Sequence, residues 1–247
     1  MLSQYALAAL PIRHIETLSV THTPPNPSNL LTLATSTWLP PLQMVYDPKS
    51  HSYCLPNGHR FPVSATGVIS LMTKSPTDLE RIMAYKHIWE PRGKGVHYAL
   101  ESFLKTPKNQ TPLVMTGDDQ YEDWIKPMLA HKLWGSCEPA ASELRLYDSR
   151  RNVCGTTDAV VRFPDGTYAV LDLKTQSRSN SSPYDTKPQL GAYLAMLNEH
   201  YPTCLFSRCL TLWARPGKTI LQSHDPDECW AAWDSVFKAY EALHRPF

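Results

Sequence analysis

The chain has 247 residues, and its 24 Lys and Arg against 23 Asp and Glu leave a formal charge of +1. That length supports one sizeable core, with roughly 70 to 75% of the unfolded surface removed on folding. The near-neutral balance excludes a protein drawn to nucleic acid by its overall field, so any contact with DNA has to be local.

Residues 1–43 are dense in proline (THTPPNPSNL, then WLPPL) and read as an arm or linker ahead of a domain spanning 44–247. From Met44 to Val63, turn signals at Asp47-Pro48 and Asn57-Gly58 separate short strands and predict a hairpin followed by a second turn. Ser64 or Thr66 can cap a short helix running through Met72. Ser75-Pro76 opens another, TDLERIMAYKHIW, which Pro91-Arg92-Gly93 should end. Lys94 to Leu104 is amphipathic, with Val96, Ala99, Leu100, Phe103 and Leu104 as its apolar stripe and His97 and Glu101 on its shoulder. A lone histidine beside such a stripe is more often core than ligand, and Glu101 reads as its neighbour or as a solvated carboxylate. Residues 105–117 read as a polar loop and Asp118 to Trp134 as a helix bent at Pro127. These helices could form a wall or arch over the strands expected downstream of them.

A strand, ASELRLY, comes next. Alternation puts Leu144 and Leu146 on the face opposite Glu143, which is either a site residue or a solvent-facing strand glutamate. Gly155 to Lys174 then reads as two strands joined by the turn Pro164-Asp165-Gly166. Asp158 lies in the first strand, and Asp172 and Lys174 end the second. These last two point the same way, about 6 to 7 Å apart, while Leu171 and Leu173 face a core. Two carboxylates on adjacent strands repel by about 4 kcal/mol at about 4 Å and an effective dielectric near 20. A hard divalent cation with oxygen ligands is the usual compensation, Lys174 alone supplying one charge. Carboxylate, carboxylate and lysine around Mg²⁺ suit phosphodiester cleavage: the cation polarises the phosphate and acidifies a bound water, and the lysine orients that water. The rival reading is a surface hairpin with a solvated charge pair.

After Lys174 the chain turns polar, TQSRSNSSPYDT, a flexible stretch at the mouth of the expected site. A helix over 187–200 sets Gln189 and Tyr193 one turn apart. Cys204 to Ala214 and Lys218 to Leu221 read as strands around Pro216-Gly217. Asp225, Pro226 and Glu228 open a last helix, whose stripe of Trp230, Trp233, Phe237 and Tyr240 reads as core.

Taken together, G-x-H (Gly95, His97), Glu143, G-x-x-D (Gly155, Asp158), D-x-K (Asp172, Lys174) and Q-x-x-x-Y (Gln189, Tyr193) resemble the PD-(D/E)xK nuclease superfamily in its RecB-like exonuclease branch. The likeness runs from about Val63 to the end of the chain and is similar to the mitochondrial genome maintenance and phage-type exonucleases. Thr157 stands where the superfamily name has proline, as often in that branch. The resemblance implies an α/β, restriction-endonuclease-like fold: a mixed central sheet flanked by helices, with a helical segment inserted before the catalytic strands. It implies a Mg²⁺- or Mn²⁺-dependent exonuclease on single-stranded DNA with free ends, of the kind used in DNA repair and recombination. Asp158, Asp172 and the Leu173 carbonyl would bind the cation, with His97 and Glu143 completing or supporting its shell. Lys174 would orient water, while Gln189 and Tyr193 hold the phosphate and the lysine's surroundings. Arg150, Arg151, Arg178 and Lys187, with Arg145, are the local cations expected to meet DNA.

Other readings of the same residues are an endonuclease on this core, or a non-catalytic module that binds DNA or a partner. The intact Asp158, Asp172 and Lys174 argue against the module, and a zinc module would need paired ligands that are missing. Some RecB-like nucleases hold an iron–sulfur cluster, but Cys204, Cys209, Cys229 and Cys54 match that spacing poorly, and the six cysteines read as reduced, buried thiols. No apolar run approaches a membrane span and no basic-then-apolar secretory pattern opens the chain. The expected compartment is the cytoplasm of a bacterium or phage-infected cell. A mitochondrial presequence finds one arginine among the first forty residues.

Overall fold

The computed structural model describes residues 38–47, 50, 52–107, 110 and 119–244. Most of the proline-rich arm, Pro48 of the first turn, and most of the polar loop (108, 109, 111–118) lie outside them. The described end of the arm is packed. Leu39 is buried and its N–H donates to the Ala140 carbonyl at 2.7 Å, while the Tyr201 hydroxyl donates to that of Pro40 at 2.6 Å.

Strands β1 (Val45–Asp47) and β2 (Ser52–Cys54) pair as a small antiparallel sheet. The main sheet is six-stranded and mixed. β4 (Glu138–Asp148), β5 (Val153–Arg162) and β6 (Tyr168–Thr175) form an antiparallel meander. β7 (Phe206–Arg215) joins β6 in parallel, β8 (Lys218–His224) closes that edge antiparallel, and β3 (Val63–Ser64) runs parallel to the first residues of β5. A parallel pair needs a crossover, and α5 (Lys187–His200) supplies it between β6 and β7.

Alternation along β5 and β6 feeds two cores. Val160 and Val170 face α1 (Ala65–Thr73), α5 and α6 (Pro226–His244), whereas Ala159, Val161, Leu171 and Leu173 face α3 (Lys86–Lys105) and α4 (Glu122–Leu129). The result is the expected α/β architecture, with helices on both faces of a mixed sheet. Ser64 caps α1 through Oγ, which accepts from the Gly67 N–H at 3.1 Å. Ser75 caps α2 (Pro76–Ala84), and Asp225 Oδ1 accepts from Asp227 and Glu228 at the start of α6.

Three expectations need correction. Pro91-Arg92-Gly93 ends no helix. The break comes at Tyr85 (φ −101°, ψ 12°), and α3 runs through Pro91. There the proline sits in the second turn, so the ladder bond it forfeits lies near the helix end. Packing of the buried Arg92 over Trp124, 5.5 Å to the ring centroid, carries the helix onward. Residues 119–135 make no single helix: α4 is flanked by 3₁₀ turns at Asp119–Tyr121 and Lys132–Gly135, and Pro127 lies inside α4. Trp230 is exposed. The buried row of α6 is Cys229, Trp233 and Phe237, spaced by four.

Candidate active site

The site forms where two strands part. Ala159 of β5 still pairs with Leu171 of β6, but the N-terminal end of β5 pairs instead with β3, at Val153 and Cys154. The next residues outward are Asp158 and Asp172. At this fork the Asp158 side chain takes over from the ladder, its Oδ2 accepting the Leu173 N–H at 2.6 Å.

Asp172 is fully buried and closes a tight ring of hydrogen bonds. Lys174 Nζ donates to Asp172 Oδ1 at 2.9 Å and to Gln189 Oε1 at 2.9 Å, and Gln189 Nε2 donates to Asp172 Oδ1 at 2.7 Å. Gln189 Nε2 also lies 3.2 Å from the Tyr193 oxygen, which accepts. The i, i+4 spacing on α5 thus sets the glutamine with a tyrosine behind it. Tyr193 is buried, and its ring approaches so closely that a Cβ on Gly155 would stand 2.8 Å from Tyr193 Cε1. The glycine of G-x-x-D is there because the tyrosine occupies its side-chain space.

From the opposite layer, His97 on α3 sets Nε2 3.5 Å from Asp158 Oδ2, with Nδ1 2.8 Å from the Gly93 carbonyl. Glu143 stands between Ser142 and Leu144, which pair with Ala159 and Thr157, so it falls level with Asp158. Its φ of 50° is left-handed, a conformation that costs a non-glycine residue about 1–3 kcal/mol and is often found at functional sites. Glu101, as expected for a helix neighbour, pairs with Lys105.

The electrostatics separate the two aspartates. Burial pushes Asp172 up to about 6, with Asp158 adding to the effect and Lys174 opposing it. Burial acts upward on Asp158 too, but His97, Lys174 and the Leu173 amide outweigh it and hold Asp158 below its ordinary value. His97 is raised to about 9: burial lowers it, and Asp158 and the Gly93 carbonyl more than reverse that. Burial, helped by Asp158, pushes Glu143 up to about 7. Lys174 is lowered by burial and raised further by Asp172, so it stays an ammonium.

Among the described residues, no three His, Cys, Asp or Glu side chains converge as a ready-made metal cluster. The donor chemistry nevertheless fits a hard divalent cation. Asp172 Oδ2 is buried without a hydrogen bond, although Lys174 Nζ lies 2.9 Å from it in poor geometry, and Asp158 stands at the same fork. The six cysteines are free thiols, but only four are buried as expected: Cys54 and Cys204 are half-buried.

The nominated DNA contacts are dispersed. Arg178 is exposed in the loop after β6. Lys187 lies 3.3 Å from Glu228. Arg150 and Arg151 sit in the β4–β5 turn, and the five residues Val153–Thr157 of β5, about 17 Å of strand, separate that turn from Asp158. Arg151 is held there by Asp148 at 3.2 Å, Asp234 at 2.8 Å and the Phe237 ring. Arg145 lies over Tyr46 and donates to the Met44 carbonyl at 3.3 Å. One residue at the site has no motif to announce it. Tyr184, in the polar loop, has its ring edge-on to Trp213, which pairs in register with Lys174.

Residues 87–204 match the family model described as the PD-(D/E)XK nuclease superfamily, a span that contains every motif residue from His97 to Tyr193. The match, over just under half of the chain, suggests a nuclease of that superfamily, whose members generally work with divalent cations such as Mg²⁺ or Mn²⁺. No curated protein matches the chain. A solved structure titled "Crystal structure of SSO0001" is similar at TM-score 0.35 and 15% identity, over 66% of this chain and 69% of that one.

Proposed function

We propose that the chain is a deoxyribonuclease that hydrolyses phosphodiester bonds from the free ends of single-stranded DNA, in repair or recombination. The observation that carries the nuclease reading is the fork itself. It holds two carboxylates with their affinities for protons pulled apart, and an ammonium shared between Asp172 and Gln189. Asp158, Asp172 and the Leu173 carbonyl would hold Mg²⁺ or Mn²⁺, with His97 and Glu143 at its border. When bound, such a cation polarises the scissile phosphate and acidifies a bound water.

The chain's own residues do the rest. Lys174 is held above its ordinary value, so it acts as a donor that orients water and balances developing negative charge, not as the base. Gln189 fixes the ammonium by accepting from it, and the buried Tyr193 fixes Gln189. His97 is positive at neutral pH beside Asp158 and must give up its proton before it can ligate.

Preference for single strands with ends is supported by what is scarce. Net charge is +1, and of the nominated cations Arg151 and Lys187 are already engaged by carboxylates. Duplex held from outside needs several phosphate contacts. A thin strand passing between α3 and the loop after β6 needs few. The test incubates end-labelled linear single strands, duplex, closed single-stranded circles and RNA with Mg²⁺, Mn²⁺ or EDTA. Progressive loss of linear DNA, with circles intact and EDTA blocking, is the expected result. Circles cut as fast as linear strands would replace the exonuclease with an endonuclease.

A further inference from the structure

The loop from Gln176 to Asp185 carries an aromatic residue that the hydrolytic machinery leaves unused. Tyr184 is 56% exposed, yet its ring is braced from one side. It stands edge-on to Trp213, with centroids 4.9 Å apart and planes at 86°. Trp213 is fully buried, is anchored by Nε1 donating to Gln222 Oε1 at 3.0 Å, and lies directly beside Lys174 across the β6–β7 pair. The tyrosine is therefore fixed over the strand position next to the site lysine, and its hydroxyl lies in the field of Lys174, Asp172 and Asp158.

The loop that presents it is tied down from beneath. Arg215 is buried, and its Nε donates to Gln176 Oε1 at 2.7 Å while Nη1 donates to the Ser179 carbonyl at 3.4 Å. Gln176 Nε2 donates to the Ser182 carbonyl at 2.7 Å, and Trp124 Nε1 donates to the Gln176 carbonyl at 2.7 Å. Residues 176, 179 and 182 are thus pinned, and Tyr184 lies two residues on. A single exposed tyrosine in a loop is ordinarily unremarkable. One locked against a buried tryptophan, on a pinned loop and above the site lysine, is a rigid apolar platform at the mouth of the site. Nucleic-acid bases stack on such platforms whatever their sequence.

We infer that Tyr184 is a substrate-contacting residue whose ring stacks on the nucleobase flanking the scissile phosphate. This rests on the nuclease reading and adds to it a determinant for single strands, because a base paired in duplex has no free face to offer. The test measures KM and kcat on short single-stranded oligonucleotides with Mg²⁺ or Mn²⁺, for wild type, Tyr184→Ala, Tyr184→Phe and Tyr184→Trp. Each substrate is used intact and with an abasic nucleotide on either side of the cleaved bond. Tyr184→Ala should raise KM about 5- to 100-fold with kcat little changed, while the Phe and Trp variants stay near wild type. Wild type should lose a similar factor on one of the abasic strands, on which Tyr184→Ala loses nothing further. Wild type that cleaves DNA while Tyr184→Ala matches it, or a Tyr184→Ala defect of equal size on intact and abasic strands, overturns this inference alone. Wild type that cleaves no DNA with either cation overturns the nuclease reading, and this inference with it.

Discussion

Asp172 keeps its charge against its surroundings, and that gives a signed expectation. Its folded value of about 6 lies above the ordinary carboxylate value, so the stability it contributes is fully present below about pH 4 and is lost as pH rises through about 6. Asp172→Asn cannot titrate. At pH 8, with cation removed, the variant should melt at or above wild type, and that advantage should vanish towards pH 4. Added Mn²⁺ should then raise the melting temperature of wild type and leave the variant where it was. An equal shift in both would place the cation elsewhere. On the proposed reading, Asp158→Asn, Asp172→Asn and Lys174→Ala should each lower kcat at least about 100-fold with DNA binding retained, in line with the loss of one electrostatic stabiliser. Wild-type turnover in any of them would remove its assigned role. What was legible in the sequence is placement: strand alternation sets Asp172 and Lys174 on one face, and the hairpin puts Asp158 on the neighbouring strand. The placement of Tyr184 was not legible, since nothing in a serine-rich stretch tells that the tertiary structure will set its ring against Trp213.

At the level of elements, sequence reading succeeds where the pattern is local. The β5–β6 hairpin follows from its apolar alternation and Pro164-Asp165-Gly166, and α6 from its Asp225 cap. It misses where packing between elements decides. Pro91 reads as a stop, but contacts made by Arg92 carry α3 past it. Trp230 fits a helical stripe, yet α6 turns Cys229 inward because α5 crosses it at Gly191. A Cβ there would stand 1.9 Å from the Cys229 carbonyl oxygen. Two glycine variants separate stability from chemistry. Gly191→Ala meets backbone and should cost about 3 kcal/mol or more, a fall in Tm of about 6 to 12 °C. Gly155→Ala meets only the Tyr193 ring, so it should displace Gln189 and depress kcat with a much smaller fall in Tm. Thermal melts and steady-state kinetics on both variants decide the matter, and the reverse order of effects would dissociate Gly155 from the site.

For the molecule as a whole, the α/β class and the mixed sheet are expected from the resemblance that the motifs carry, and the strands and helices fall in that order. The fork between β5 and β6 could not be read from the sequence, because it depends on β3 capturing the start of β5 from about ninety residues away. The fork also divides the site by chain connectivity. Glu143, Asp158, Asp172 and Lys174 all lie on the β4–β5–β6 meander, whereas Gln189 and Tyr193 arrive only with the crossover helix and His97 from a separate layer. Pairings close in sequence are the cheapest to close during folding, so the meander is the natural nucleus, and it gathers the carboxylates before the helices cover them. Their mutual repulsion then belongs to the folding barrier. In stopped-flow refolding from urea, Mn²⁺ should therefore accelerate the folding limb of the chevron and barely slow unfolding, the kinetic signature of contacts already made in the transition state. A cation effect confined to the unfolding limb would mean that the aspartates meet only after the barrier has been crossed.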